Sequence, residues 1–204
     1  MRTLVSVIML LLVSATAHAS VDMHNPNQVI QSVSINTFAR LKADHDRLQR
    51  EPTYIKTVIE EELIPYFDYK YAAYMVMGNY LQQTSDVQRG EFVDVFKTYL
   101  VNAYGHILFE YEQQEVEILD LPDYQDKNIV SISVRIRDAN NQLTQLVFKL
   151  RKNRKTEEWK VFDVIAEGIS MLNTKRSELY ELMHKKGIDH VIKLLAEKNR
   201  EFSS

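Results

Sequence analysis

A chain of 204 residues with no cysteine excludes disulfides, thiol nucleophiles and cysteine-ligated metals, so its order must come from packing and hydrogen bonds. Its 25 Lys and Arg against 28 Asp and Glu give a formal charge of −3, which argues against nucleic acid as the main partner, because neutralising phosphates requires a basic surface. The length suits a single ordinary domain that needs no covalent staples.

The first residues read as an export signal: Arg2 supplies a positive start, Leu4 to Val13 a short apolar run, and Ala17-His18-Ala19 a small-x-small cleavage site. The apolar run falls short of the roughly 18 to 20 residues that span a bilayer, so cleavage rather than anchoring is expected, with no stable membrane insertion. Residues 1–19 are thus read as a signal peptide and 20–204 as one soluble domain. No cysteine follows the cleavage site, so lipoprotein-type lipid attachment is excluded.

In the mature region, Pro26 to Arg50 places Val29, Val33, Leu41 and Leu48 at helical spacing behind Asn25, a ready N-cap. Glu51-Pro52 interrupts that helix. Ile55, Val58, Ile59 and Leu63 define a second, ended by Pro65, and Asp68 caps a third in which "YKYAAYMVMGNY" is apolar nearly all round. Ser85 and Gln88 form a capping box for a fourth helix carrying Phe92, Val95, Phe96, Tyr99 and Ala103.

The period then changes from helical to alternating. Val116 and Ile118 open a first strand. Val130, Ile132, Val134 and Ile136 alternate with Ser131, Ser133, Arg135 and Arg137 in a second. "DANNQ" predicts a hairpin turn into Leu146, Phe148 and Leu150, and "RKNRKTEE" turns the chain again into Trp159 to Val164. On this last strand Trp159 and Val161 compete with Phe162 and Val164 for the inner face, a conflict that a bulge would resolve. After Gly168 the pattern is helical, with Asp189 placed to cap the final helix. Four helices, a four-stranded antiparallel meander and two more helices predict an α+β fold, with helices covering one face of a curved sheet.

The common catalytic signatures are absent: no Gly-x-Ser-x-Gly elbow, no His-Glu-x-x-His helix and no phosphate-cradling glycine loop. His24, His45, His106, His184 and His190 are scattered without metal-ligand spacing, so no metal or cofactor is expected. Asp163 and Glu167 read either as an acid-base pair in a small enzyme or as structural carboxylates, the second being favoured. Tyr66, Phe67, Tyr69, Tyr71, Tyr74, Met75, Met77 and Tyr80 concentrate amphipathic rings and flexible side chains, which suit either plain core or the lining of an apolar site.

"FDYKYAAYMVMGNY", "VQRGEFVDVFKTYLVNAYGHIL", the strands around "VSISVRIRD" and "LVFKLRKN", and "WKVFDVIAEGISMLNTKRSEL" together resemble the MlaC, or toluene-tolerance, family of phospholipid-binding proteins. The resemblance runs from about Pro26 to the last helix. It implies a non-enzymatic periplasmic carrier that exchanges phospholipid with an outer-membrane lipoprotein-porin complex and an inner-membrane ABC-transporter complex. The implied fold is an NTF2-like cone with an internal apolar cavity.

Physics supports such a cavity: two acyl chains of roughly 30 methylenes resist entering water by on the order of 20 kcal/mol, so a carrier must keep them dry. The expected lining is Tyr71, Met75, Phe96, Tyr99, Val130, Ile132, Val134, Ile136, Leu146, Phe148, Leu150, Trp159, Val161 and Val164, with Ile169 and Met171 continuing the wall past the sheet. Arg151 and Lys152, with Lys70 and Arg89, are the expected headgroup or partner contacts. A different apolar ligand, such as a quinone or fatty acid, is the other binding reading.

Overall fold

The computed structural model describes residues 21–109, 115–119, 121–137 and 140–202. The predicted signal segment lies outside them, as do Asp138 and Ala139 of the predicted hairpin and the side chains of His106 and Ile107. Helix α1 (Pro26–Ala43) begins where the Asn25 side chain accepts from the amides of Asn27 and Gln28, with Pro26 in the first position. It stops at Asp44, and α2 (His45–Arg50) resumes at once, so the single helix expected over 26–50 is two. A polar knot fixes the break. Arg40 pairs with Asp44, with Glu61 at 3.3 Å and with Glu62 at 3.6 Å, and the Tyr54 hydroxyl donates to Asp44 at 3.0 Å.

Helix α3 (Ile55–Glu62) yields to a 3-10 turn at Ile64–Tyr66, and α4 (Tyr69–Met77) starts on Asp68, whose side chain accepts from the Tyr71 amide. Ahead of α5 (Asp86–Phe109), Ser85 Oγ accepts from the Gln88 amide while Gln88 returns a bond to the Ser85 amide, as the capping box predicts. Two helices, α6 (Met171–Lys186) and α7 (Ile188–Glu201), close the chain. The expected cap at Asp189 is corrected: Gly187, at φ 82°, holds the cap position, and the Asp189 carboxylate accepts from Gln88 of α5 at 2.8 Å.

Among the described residues the sheet has five strands, not four. In order they are β1 (Glu115–Ile118), β2 (Ile129–Arg137), β3 (Leu143–Lys152), β4 (Trp159–Ala166) and β5 (Ile169–Ser170), all antiparallel to their neighbours. The added strand follows a two-residue turn in which Glu167 and Gly168 both take positive φ, as tight hairpins require. It is two residues long because Ser170 already caps α6, accepting from the Asn173 amide.

The alternation conflict on β4 resolves as a bulge. Lys149 pairs with Asp163 and Leu150 with Val161, leaving Phe162 as the extra residue. Trp159, Val161 and Val164 therefore join Val130, Ile132, Val134, Phe148 and Leu150 on the face covered by Val29 and Ile30 of α1. Phe162 instead enters a second cluster built by α4, α5, α6 and α7. A third cluster joins Leu41 and Leu48 to α3 and Val101 of α5. The outer side of β4 is sealed: Trp159 N donates to Met23 O at 2.7 Å, Asp68 N donates to Val161 O at 2.7 Å, and β5 follows.

Candidate functional site

At the opposite border of the sheet, α1 stands off β1 and leaves a groove of about 510 Å³, lined by Gln31, Ser34, Ile35 and Phe38 from α1, Val116 and Ile118 from β1, and Leu121. Positions 31, 34, 35 and 38 recur at the helical period, so they form one face of α1, adjacent to the Val29 and Ile30 face that covers the sheet. On β1 the parity of the strand aims Val116 and Ile118 at the groove. It turns Glu115 and Glu117 to the other side, where they pair with Arg137 and Arg135 at 3.9 and 3.0 Å. Among the described residues, no ionisable side chain lines the groove. Ile35 and Leu121 remain 60% and 59% exposed, a local concentration of wetted apolar surface.

The expected lining residues fall into groups that the fold keeps apart. Val130, Ile132, Val134, Leu150, Trp159 and Val161 are buried beneath α1, with Phe148 and Val164 half-buried against them. Ile136 pairs with Val116 and Leu146 with Val134, which carries this apolar face toward the groove. Tyr71, Met75, Phe96 and Tyr99 lie instead in the helical cluster. There Tyr71 meets Phe162 edge-on at 5.3 Å and Phe96 stacks on Phe92 at 5.8 Å. Ile169 and Met171 stay exposed at the end of the sheet, and Leu172 turns inward.

Two of the expected cations hold the fold together. Arg89 donates to the Leu81 and Thr84 carbonyls and the Thr84 hydroxyl, and pairs with Asp86 at 3.1 Å, tying down the loop before α5. Arg151 is three-quarters buried, 3.4 Å from Asp68, with its guanidinium 4.0 Å from the centre of the Tyr71 ring. Lys70 is exposed, its ammonium 5.9 Å from the Tyr74 ring centre. Lys152 makes a loose pair with Glu157 at 3.4 Å, of the kind worth little in water.

Asp163 and Glu167 take the structural role. The Asp163 carboxylate, 4% exposed, accepts from the Ser170 hydroxyl at 2.8 Å and the Leu172 amide at 3.1 Å, anchoring the start of α6. Glu167 accepts from the Gln145 amide at 3.0 Å and clamps β3 to the turn. Among the described residues no group of three His, Asp or Glu side chains is placed to hold a metal ion, and no helix is long and apolar enough to cross a membrane.

Gln31, Ser34, Ile35, Phe38 and Leu121, which line the groove, are not among the residues expected from the sequence. A signal for the helical four was present. Ile35 and Phe38 fall off the stripe set by Val29, Val33 and Leu41, so α1 carries apolar residues on a second face that a single-sided helix does not need.

Residues 31–197 match the family model described as MlaC protein. The chain is similar to the intermembrane phospholipid transport system binding protein MlaC of Haemophilus influenzae, 32% identical over 182 residues that span 89% of this chain and 84% of that protein. It is also similar to toluene tolerance protein ttg2D of Pseudomonas putida, 24% identical over 182 residues, 89% of this chain and 83% of that one. Among solved structures, the phospholipid-binding protein from Ralstonia solanacearum, in complex with a phospholipid, shares the fold with a TM-score of 0.79 at 19% identity, over 88% of this chain and 99% of its own.

Proposed function

The chain belongs to the MlaC family, and from that premise we propose that it is a non-enzymatic phospholipid carrier of the periplasm, loading lipid at one membrane and surrendering it at the other. The names of its relatives support phospholipid as the cargo. Its partners are then an outer-membrane lipoprotein-porin complex and an inner-membrane ABC-transporter complex, reached after residues 1–19 have been removed.

The observation that carries the reading is the groove between α1 and β1, whose described lining is uncharged and which opens beside the apolar face of the sheet. Its volume lies within the roughly 300 to 1,000 Å³ common for small-molecule sites. In this reading the acyl chain lies along Val116, Ile118, Ile35 and Phe38 and reaches toward Ile136 and Leu146 at the margin of the sheet. Each methylene so covered contributes about 0.8 kcal/mol. The polar rim of Gln31 and Ser34 leaves the headgroup at the surface, while the exposed Lys70, Arg154 and Lys155 are placed to meet acidic partners.

Native mass spectrometry of protein purified without detergent, followed by lipid extraction, tests this. Stoichiometric phospholipid on a chain beginning at Ser20 is expected. A ligand-free protein that takes up no lipid from vesicles overturns the carrier reading, and an extracted quinone or fatty acid replaces the cargo.

A further inference from the structure

We propose that the groove in its present form is a one-chain site, open to a single-tailed amphiphile such as a lysophospholipid, and that a two-tailed phospholipid enters only when α1 moves away from β1. The inference rests on the lipid-carrier reading and goes beyond it by naming a second ligand class and the element that discriminates between the two.

Volume comes first. A methylene fills about as much space as one water, roughly 30 Å³, so a tail of about 16 carbons needs roughly 480 Å³ and two tails roughly twice that. The groove offers about 510 Å³. The space beneath α1 is no reserve for the second tail, since Val29, Ile132, Leu150 and Trp159 are each at most 1% exposed there. Only displacement of α1 uncovers the apolar face of the sheet.

The attachments of α1 fit such a movement. Polar ties hold its ends: Asn27 Nδ2 donates to Pro122 O at 3.2 Å near the start, and Arg40 binds Glu61 and Glu62 near the break at Asp44. Between them Val29, Ile30 and Val33 pack on the apolar face of the sheet. Moreover, the two buried side-chain polar atoms left without a partner among the described residues, Asn27 Oδ1 and Thr37 Oγ1, both belong to α1. A shift of α1 that exposed these atoms would let water satisfy both. On this proposal the one-chain groove belongs to the closed position of α1, and diacyl lipid to an open one.

The absence of cysteine makes the test clean. In the mature protein, the pair Asn27→Cys and Pro122→Cys, bridged by a short bis-maleimide, ties α1 to the segment after β1. Binding of palmitoyl lysophosphatidylethanolamine, dipalmitoyl phosphatidylethanolamine and palmitate is then compared before and after bridging. Bridging is expected to leave lysolipid affinity within about twofold and to cut diacyl loading at least about tenfold, with the palmitate arm separating free acid from lysolipid. Equal diacyl loading in both forms overturns the inference, and so does loss of lysolipid binding on bridging. If the wild-type chain binds none of the three, the carrier reading falls first and takes this one with it. Ile35→Trp, on a surface position, gives a second arm without a cross-link. Filling the groove should weaken lysolipid binding about tenfold, and unchanged affinity counts against a one-chain site.

Discussion

At the scale of single residues, Asp163 illustrates how a carboxylate with catalytic pedigree is consumed by architecture. Both its oxygens are taken, by Ser170 Oγ and Leu172 N, at the start of α6. Asp163→Asn should therefore cost about 1–3 kcal/mol through the mismatched acceptor, while leaving lipid loading intact. Thermal unfolding and native mass spectrometry read the two effects separately, and a stable variant that fails to load would contradict the assignment. Tyr104 gives a pH signature. Burial pushes its phenol well above the ordinary range, and the charges of Asp163 and Tyr99 push the same way. Below about pH 10 the phenol is protonated whether the chain is folded or not, so it contributes no slope. Above that, the unfolded chain releases a proton that the native state retains, and stability falls. Denaturant titrations from pH 8 to 11 should show a decline beyond about 10 that Tyr104→Phe makes shallower. An unaltered slope would assign the decline elsewhere.

At the scale of elements, the legible parts were those whose signals are local. Asn25, Asp68 and the Ser85 and Gln88 pair all cap the helices that the sequence assigned to them. The failures came from contacts distant in the chain. Asp189 has the chemistry of a cap, but Gln88, on another helix, claims its carboxylate. The break at Asp44 needs Tyr54, Glu61 and Glu62 to complete its polar knot, and none of them is visible in the period of α1. The bulge on β4 was foreseeable as a conflict of alternation, though which residue would leave the pattern was not. Phe162 leaves, and because its ring then fills the helical cluster, Phe162→Ala should destabilise the protein by about 3–5 kcal/mol. On β1, Ile118→Arg places a charge in the groove at a half-buried position that the fold tolerates. Phospholipid loading should drop at least about tenfold with little change in melting temperature. Full loading would move the tails out of this groove.

At the scale of the whole molecule, the order of helices, strands and helices was readable because each run keeps one period for long enough, and the family resemblance covered nearly the same span. The groove was not readable. It exists only where α1 and β1, far apart in sequence, face each other without closing. The same distance separates the two halves of the seam that joins Met23 to Trp159. The opening segment of the fold is thus stitched to one of the last strands to be synthesised, and it cannot be docked until that strand arrives. Contacts this remote slow folding, since a long loop must close before any reward is collected. On the export route proposed above, such slowness would keep the chain pliable until it had crossed the channel.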